Sequence, residues 1–143
     1  MQAKLQVKVL DLSYNLELKS NLILVMGNSG TGKTVLFNGL SDIAYFEQYT
    51  QGFTQYVLVN YKNYKMGIID SVLQDKGSPK FVVIANASVI LNYKQRLMIS
   101  MDMKNQYLIF THNLQGFKVG PVNIAEMGYD TKKQEFNLQY KNI

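Results

Sequence analysis

Asn21-Leu-Ile-Leu-Val-Met26 followed by Gly27-Asn-Ser-Gly-Thr-Gly-Lys-Thr34 is the stretch on which the reading of this chain turns. Five apolar residues in succession, Leu22 to Met26, suit a buried strand, and the apolar residues after Thr34 (Val35, Leu36, Phe37, Leu40, Ile43, Ala44) recur at helical spacing. Between strand and helix the fixed positions are Gly27, then four residues, then Gly32, Lys33 and Thr34. Gly27, Gly30 and Gly32 permit positive φ and close backbone approach, so amides from Asn28 to Thr34 can converge on an oxyanion. The same amides open a helix, where unpaired N–H groups and the macrodipole favour negative charge.

Strand, G-x-x-x-x-G-K-T loop and helix together resemble the Walker A segment of the P-loop NTPase superfamily. The resemblance implies a cofactor, ATP or another nucleoside triphosphate with Mg²⁺. Gly27, Asn28, Ser29, Gly30, Thr31, Gly32, Lys33 and Thr34 would cradle the phosphates, Lys33 would bridge the β- and γ-phosphate oxygens, and Thr34 would be the metal ligand. The preceding Leu-Glu-Leu-Lys-Ser-Asn resembles the antiparallel lead-in strands of ABC-type ATPases, but nothing matches their LSGGQ signature.

In such ATPases a second apolar strand ends in the Walker B aspartate, which holds Mg²⁺ through its waters. The segment here is Phe81-Val-Val-Ile-Ala-Asn-Ala-Ser88, so Ala85 stands where the acid is expected and Ser88 where a second acid would follow. Asn86 can hydrogen-bond a metal-bound water but brings no charge and takes no proton. Asp70, Asp102 and Glu126 are the candidates for a borrowed acid, and Asp70 falls within an amphipathic helical pattern that points it to the surface. Arg96, the only arginine, is a candidate for stabilising a transferring phosphoryl group, with a solvent-facing or capping role as the plainer expectation. A strand over 106–111 ends in Thr111-His112-Asn113, and the resemblance assigns Thr111 or Asn113 to sensing the γ-phosphate. The lone His112 cannot build a metal site by itself.

The rest of the chain supports one domain over residues 1–143, without repeats or linkers. Alternating residues 4–10 and 14–19 predict a hairpin turned by Asp11, Ser13 and Asn15, and a second hairpin is expected near the C-terminus, over 126–129 and 134–140. Strands over 55–60, 81–85, 106–111 and 122–125 and helices over 33–46 and 66–76 fill the middle. The methionine-rich segment 98–103 is expected to pack inward. The fold class that follows is α/β: a mostly parallel sheet of the P-loop NTPase kind, flanked by helices, with antiparallel β-hairpins at both ends. Absence of cysteine rules out disulfides and thiolate metal sites. No apolar run reaches membrane-spanning length, so a cytoplasmic protein with no membrane partner is expected.

A formal charge of +5 from scattered lysines suits a solvated surface more than a nucleic-acid patch. The functional expectation is a nucleotide-binding protein of weak or no hydrolysis that regulates a protein partner. Two alternatives stand beside it. One is an active ATPase or phosphoryl-transfer enzyme that borrows a carboxylate. The other is a non-enzymatic accessory or inhibitor protein of a mobile element, gripping a nuclease or nucleic-acid complex through residues such as Tyr61, Lys62 and Tyr64.

Overall fold

The computed structural model describes residues 3–27, 32–40, 53 and 55–140. A hairpin, β1 (Ala3–Val9) and β2 (Leu12–Leu18), leads into β3 (Leu22–Met26), and helix α1 (Lys33–Leu40) follows the glycine-rich loop. Then come β4 (Gln55–Val59), α2 (Ile68–Gln74), β5 (Lys80–Ile84), a one-turn helix α3 (Ala87–Ile90), α4 (Tyr93–Met101) and β6 (Gln106–Phe110). A 3₁₀ turn at Pro121–Asn123 introduces β7 (Ile124–Asp130), which pairs with β8 (Glu135–Tyr140).

All eight strands form one sheet in the order β1-β2-β8-β7-β3-β6-β5-β4. The block from β7 to β4 is parallel, whereas β1 with β2 and β7 with β8 are antiparallel. The sheet is therefore mixed, and the expected terminal hairpins belong to it. They meet through a short parallel contact, Ser13 to Glu135 and Tyr14 to Phe136, reinforced by stacked rings of Tyr14 and Phe136 with centroids 4.8 Å apart. The two short strands expected over 122–125 and 126–129 are one strand, β7, because the chain stays extended through Ala125 and Glu126.

Burial explains the two kinds of strand. On β3, Ile23 and Val25 face one core cluster while Leu22 and Leu24 face the other; Phe81 and Val83 alternate with Val82 and Ile84 on β5 in the same way. Such strands are apolar at every position because both faces are covered. In β1 only Leu5, Val7 and Val9 point inward, so Lys4, Gln6 and Lys8 can be charged or polar and exposed. The first cluster fills the space between the central strands, α1 and the β1/β2 hairpin; the second lies under α2, α3 and α4.

Three local expectations change. The first hairpin turns on Leu10 and Asp11 alone, at φ 49° and 67°, with Val9 opposite Leu12. Consecutive left-handed residues match the twist of a two-residue hairpin, so Ser13 and Asn15 lie within β2 rather than in the turn. Met98, Met101 and Met103 are exposed, since α4 buries Gln95, Arg96 and Ile99. The helix expected over 33–46 is described to Leu40, and its remainder lies outside the described residues. No helix among the described residues is long and apolar enough to cross a membrane.

Two predictions follow from packing. A Cβ on Gly39 would come within 2.6 Å of both methyls of Val9, where α1 lies against β1. Gly39→Ala should lower the melting temperature, overpacking costing about 1–3 kcal/mol against a helix-propensity gain of about 1 kcal/mol. In a Val9→Ala background the same change should be neutral or stabilising. Separately, burial, together with the Asp102 carboxylate that accepts its hydroxyl at 2.7 Å, raises the Tyr107 phenol above its ordinary range. A raised folded-state value gives stability that is complete below the unfolded value of about 10 and is lost as pH rises beyond it. Thermal unfolding followed against pH should show an alkaline decline that Tyr107→Phe diminishes.

Candidate functional site

The carboxyl ends of β4, β5 and β6 and the first turns of α1 enclose a cavity of about 390 Å³. Register brings these ends level. Thr111 donates its amide to the Val25 carbonyl at 3.2 Å, and Ala85 donates its own to Val59 at 2.8 Å, so the residues following β3, β6, β5 and β4 form one row. Ligands of open α/β sheets lie along such an edge.

From α1 the cavity receives Lys33, Thr34, Phe37 and Asn38. Lys33 Nζ donates to the Gly27 carbonyl at 2.6 Å across the mouth of the loop. Partial burial lowers the Lys33 pKa. Two of its three donors remain for another acceptor. The exposed Thr34 hydroxyl faces the same space. Gly27 and Gly32 hold φ of 129° and 86°, conformations that an L side chain resists. Asn28, Ser29, Gly30 and Thr31, expected to supply the other cradle amides, lie outside the described residues.

Tyr14, which belongs to no motif, braces the loop. Its hydroxyl donates to the Gly32 carbonyl at 2.8 Å, and a Cβ on Gly32 would meet Phe136 at 3.0 Å and the Tyr14 hydroxyl at 3.1 Å. The first hairpin and β8 thus clamp the start of α1 from behind. Only the sheet topology joins Tyr14 to Phe136, so no local pattern could have revealed the pair.

The opposite wall is polar. Ala85 and Asn86 line it where β5 ends. Asn86 is left-handed, φ 57° and ψ 37°, and its carbonyl accepts from Val89 and Ile90 to start α3, which is itself a sufficient reason for asparagine there. Thr111 and His112 also line the cavity, whereas Asn113 is not among the lining residues. The buried Thr111 hydroxyl donates to the Asn113 carbonyl at 2.9 Å, and Ser88 Oγ lies 3.2 Å from it while accepting the His112 amide. Ser88 therefore organises the turn after β6. The loop after β4 adds Asn60, Tyr61 and Lys62.

The candidate catalytic residues lie elsewhere. Exposed Asp70 on α2 accepts from Gln95 at 3.3 Å. Asp102 closes α4 at the amino-terminal edge of β6, where Tyr107, Asn105 and the Lys104 amide occupy its oxygens. Glu126 is exposed on β7 between Ala125 and Met127, whose side chains point into the α1 cluster, so it projects from the other face of the sheet. Arg96 is buried, not solvent-facing. Its guanidinium donates to the carbonyls of Leu91 at 3.0 Å, Gln115 at 3.0 Å and Ser88 at 3.2 Å, and lies over the rings of Tyr93 and Phe117. It ties the α3 turn to the loop after β6.

Among the described residues no carboxylate lines the cavity, and no trio of His, Cys, Asp or Glu is placed to hold a metal ion. Mg²⁺ in nucleotide sites is held by carboxylates and phosphates. The Thr34 hydroxyl with Asn86 is a poor donor set for it, so the described residues do not fit the metal that the resemblance implies. The sequence matches no protein-family model and no curated protein.

The brace can be tested directly. Tyr14→Phe keeps the ring stack but removes the bond to Gly32, whose carbonyl retains the Leu36 amide at 3.1 Å. Denaturant unfolding should show a loss of about 0.5–1.5 kcal/mol.

Proposed function

We propose that this chain is a small nucleotide-binding protein of the P-loop type, which holds a nucleoside triphosphate such as ATP, turns it over feebly or not at all, and reports occupancy to a protein partner. The observation that carries the reading is one cavity holding Lys33 and Thr34 at the start of α1 and, across from them, Ala85 and Asn86 at the end of β5. A desolvated ammonium beside helix-opening amides suits phosphate oxygens. Water attack needs a group to orient or deprotonate it, and loss of such a group costs about 10²- to 10⁴-fold in rate. Ala85 cannot supply one.

The loop after β4 supports the regulatory part. Asn60, Tyr61 and Lys62 line the cavity, and the same loop exposes Tyr61, Tyr64 and Met66, with Met66 at 96% exposure. A ligand that contacts this loop in one arrangement better than in another shifts its population, and with it the apolar surface offered outward.

Calorimetric titration of ATP into the wild-type chain should give saturable binding, and Lys33→Ala should weaken it about 10- to 100-fold, the worth of a charge-assisted hydrogen bond. Phosphate release in the same samples should stay at background. Release that scales with protein and vanishes in Lys33→Ala would replace this reading with an active enzyme; no binding at all would end it.

A further inference from the structure

Resting on the phosphate-binding reading, we propose that the cavity takes its polyphosphate ligand as the free anion, without a divalent cation, and that Lys62 supplies the positive charge a metal would otherwise bring. Two cations, Lys33 and Lys62, reach this cavity. Neither forms an ion pair with a described residue: Lys33 holds a backbone carbonyl, and Lys62 lies beside the Tyr61 ring with its ammonium 5.9 Å from the centroid. Asp70, Asp102 and Glu126 are held elsewhere, so no described acid offsets these charges within the cavity. A concave site lined by one sign of charge concentrates the opposite ion. It also disfavours a third cation, because Mg²⁺ would enter beside two ammonium groups with no carboxylate among the described residues to receive it.

Lys62 is presented by a fixed turn. Asn60 Oδ1 accepts the amides of Lys62 and Asn63, both at 2.9 Å, while Asn63 Oδ1 accepts the Asn60 amide at 2.7 Å. Asn63 Nδ2 then donates to the Leu58 carbonyl at 3.0 Å, which anchors the turn to β4. The backbone beneath Lys62 is thereby set at the rim, and only its flexible stem must order when an anion arrives. The chemistry recognised is a chain of phosphates, with or without a nucleoside attached.

The test is titration of ATP, and separately of inorganic tripolyphosphate, into the full chain in excess EDTA and in excess Mg²⁺. Affinity in EDTA should equal or exceed that in Mg²⁺ for both ligands. Lys62→Ala should weaken the EDTA affinity about two- to fivefold and Lys62→Arg should restore it, as expected for an exposed charge contact. Ala85→Asp, which places a carboxylate in the cavity wall, should reverse the preference, weakening binding in EDTA and strengthening it in Mg²⁺. Wild-type affinity that falls tenfold or more in EDTA would overturn this inference while leaving the phosphate site intact. An EDTA affinity unchanged by Lys62→Ala would remove Lys62 from the site. Absence of binding in both media would overturn the inference together with the reading beneath it.

Discussion

Burial of both faces of β3, β5 and β6 is the constraint on which the rest of the structure depends. Strands without a polar face cannot border water, so α1 with the β1/β2 hairpin must cover one side, and α2, α3 and α4 the other. With both faces closed, the strand ends are what remain open to a ligand. At the amino-terminal edge side chains tie the strands together around a hollow of about 290 Å³: Asn21 donates to the Asp102 carbonyl, Asn105 accepts the Lys80 amide, and Gln106 donates to the Ser20 carbonyl. At the carboxyl edge the chain leaves β4, β5 and β6 in loops that, with the start of α1, stand around a cavity of about 390 Å³.

What could be read from the sequence divides along that line. β3, β5 and β6 were legible because an unbroken apolar run leaves few alternatives, and β1 was legible from its alternation. The positive φ of Gly27 and Gly32 was legible from their spacing, whereas residues 28–31 lie outside the described residues. The joining of the two terminal hairpins into a single mixed sheet was not, since it rests on Tyr14 meeting Phe136 from the far end of the chain. The exposed methionines of α4 misled for a related reason: the helix buries Gln95 and Arg96, polar residues whose partners lie on other elements, and so turns its apolar flank to solvent.

The cavity itself was half legible. Lys33, Thr34, Asn86 and Thr111 were named from motif and strand ends, and they surround one space. How the loop after β4 is held was hidden, because a Tyr/Asn/Lys segment has the composition of any surface turn until its asparagines are seen to fix its path. That residue 85 is alanine was visible in the sequence, but its electrostatic surroundings were not. Those depend on where the fold carries the described carboxylates, none of which lines the cavity.

The setting of Arg96 has a consequence for the turn that carries Thr111 and His112. Its guanidinium binds carbonyl oxygens of the α3 turn and of Gln115, and no carboxylate takes part. Acidification, which dissolves a bridge such as that between Lys80 and Asp75 by protonating the acid, has nothing to act on in this clamp. The wall of the cavity formed by that turn is thus fastened by a joint that has no carboxylate to lose to protonation.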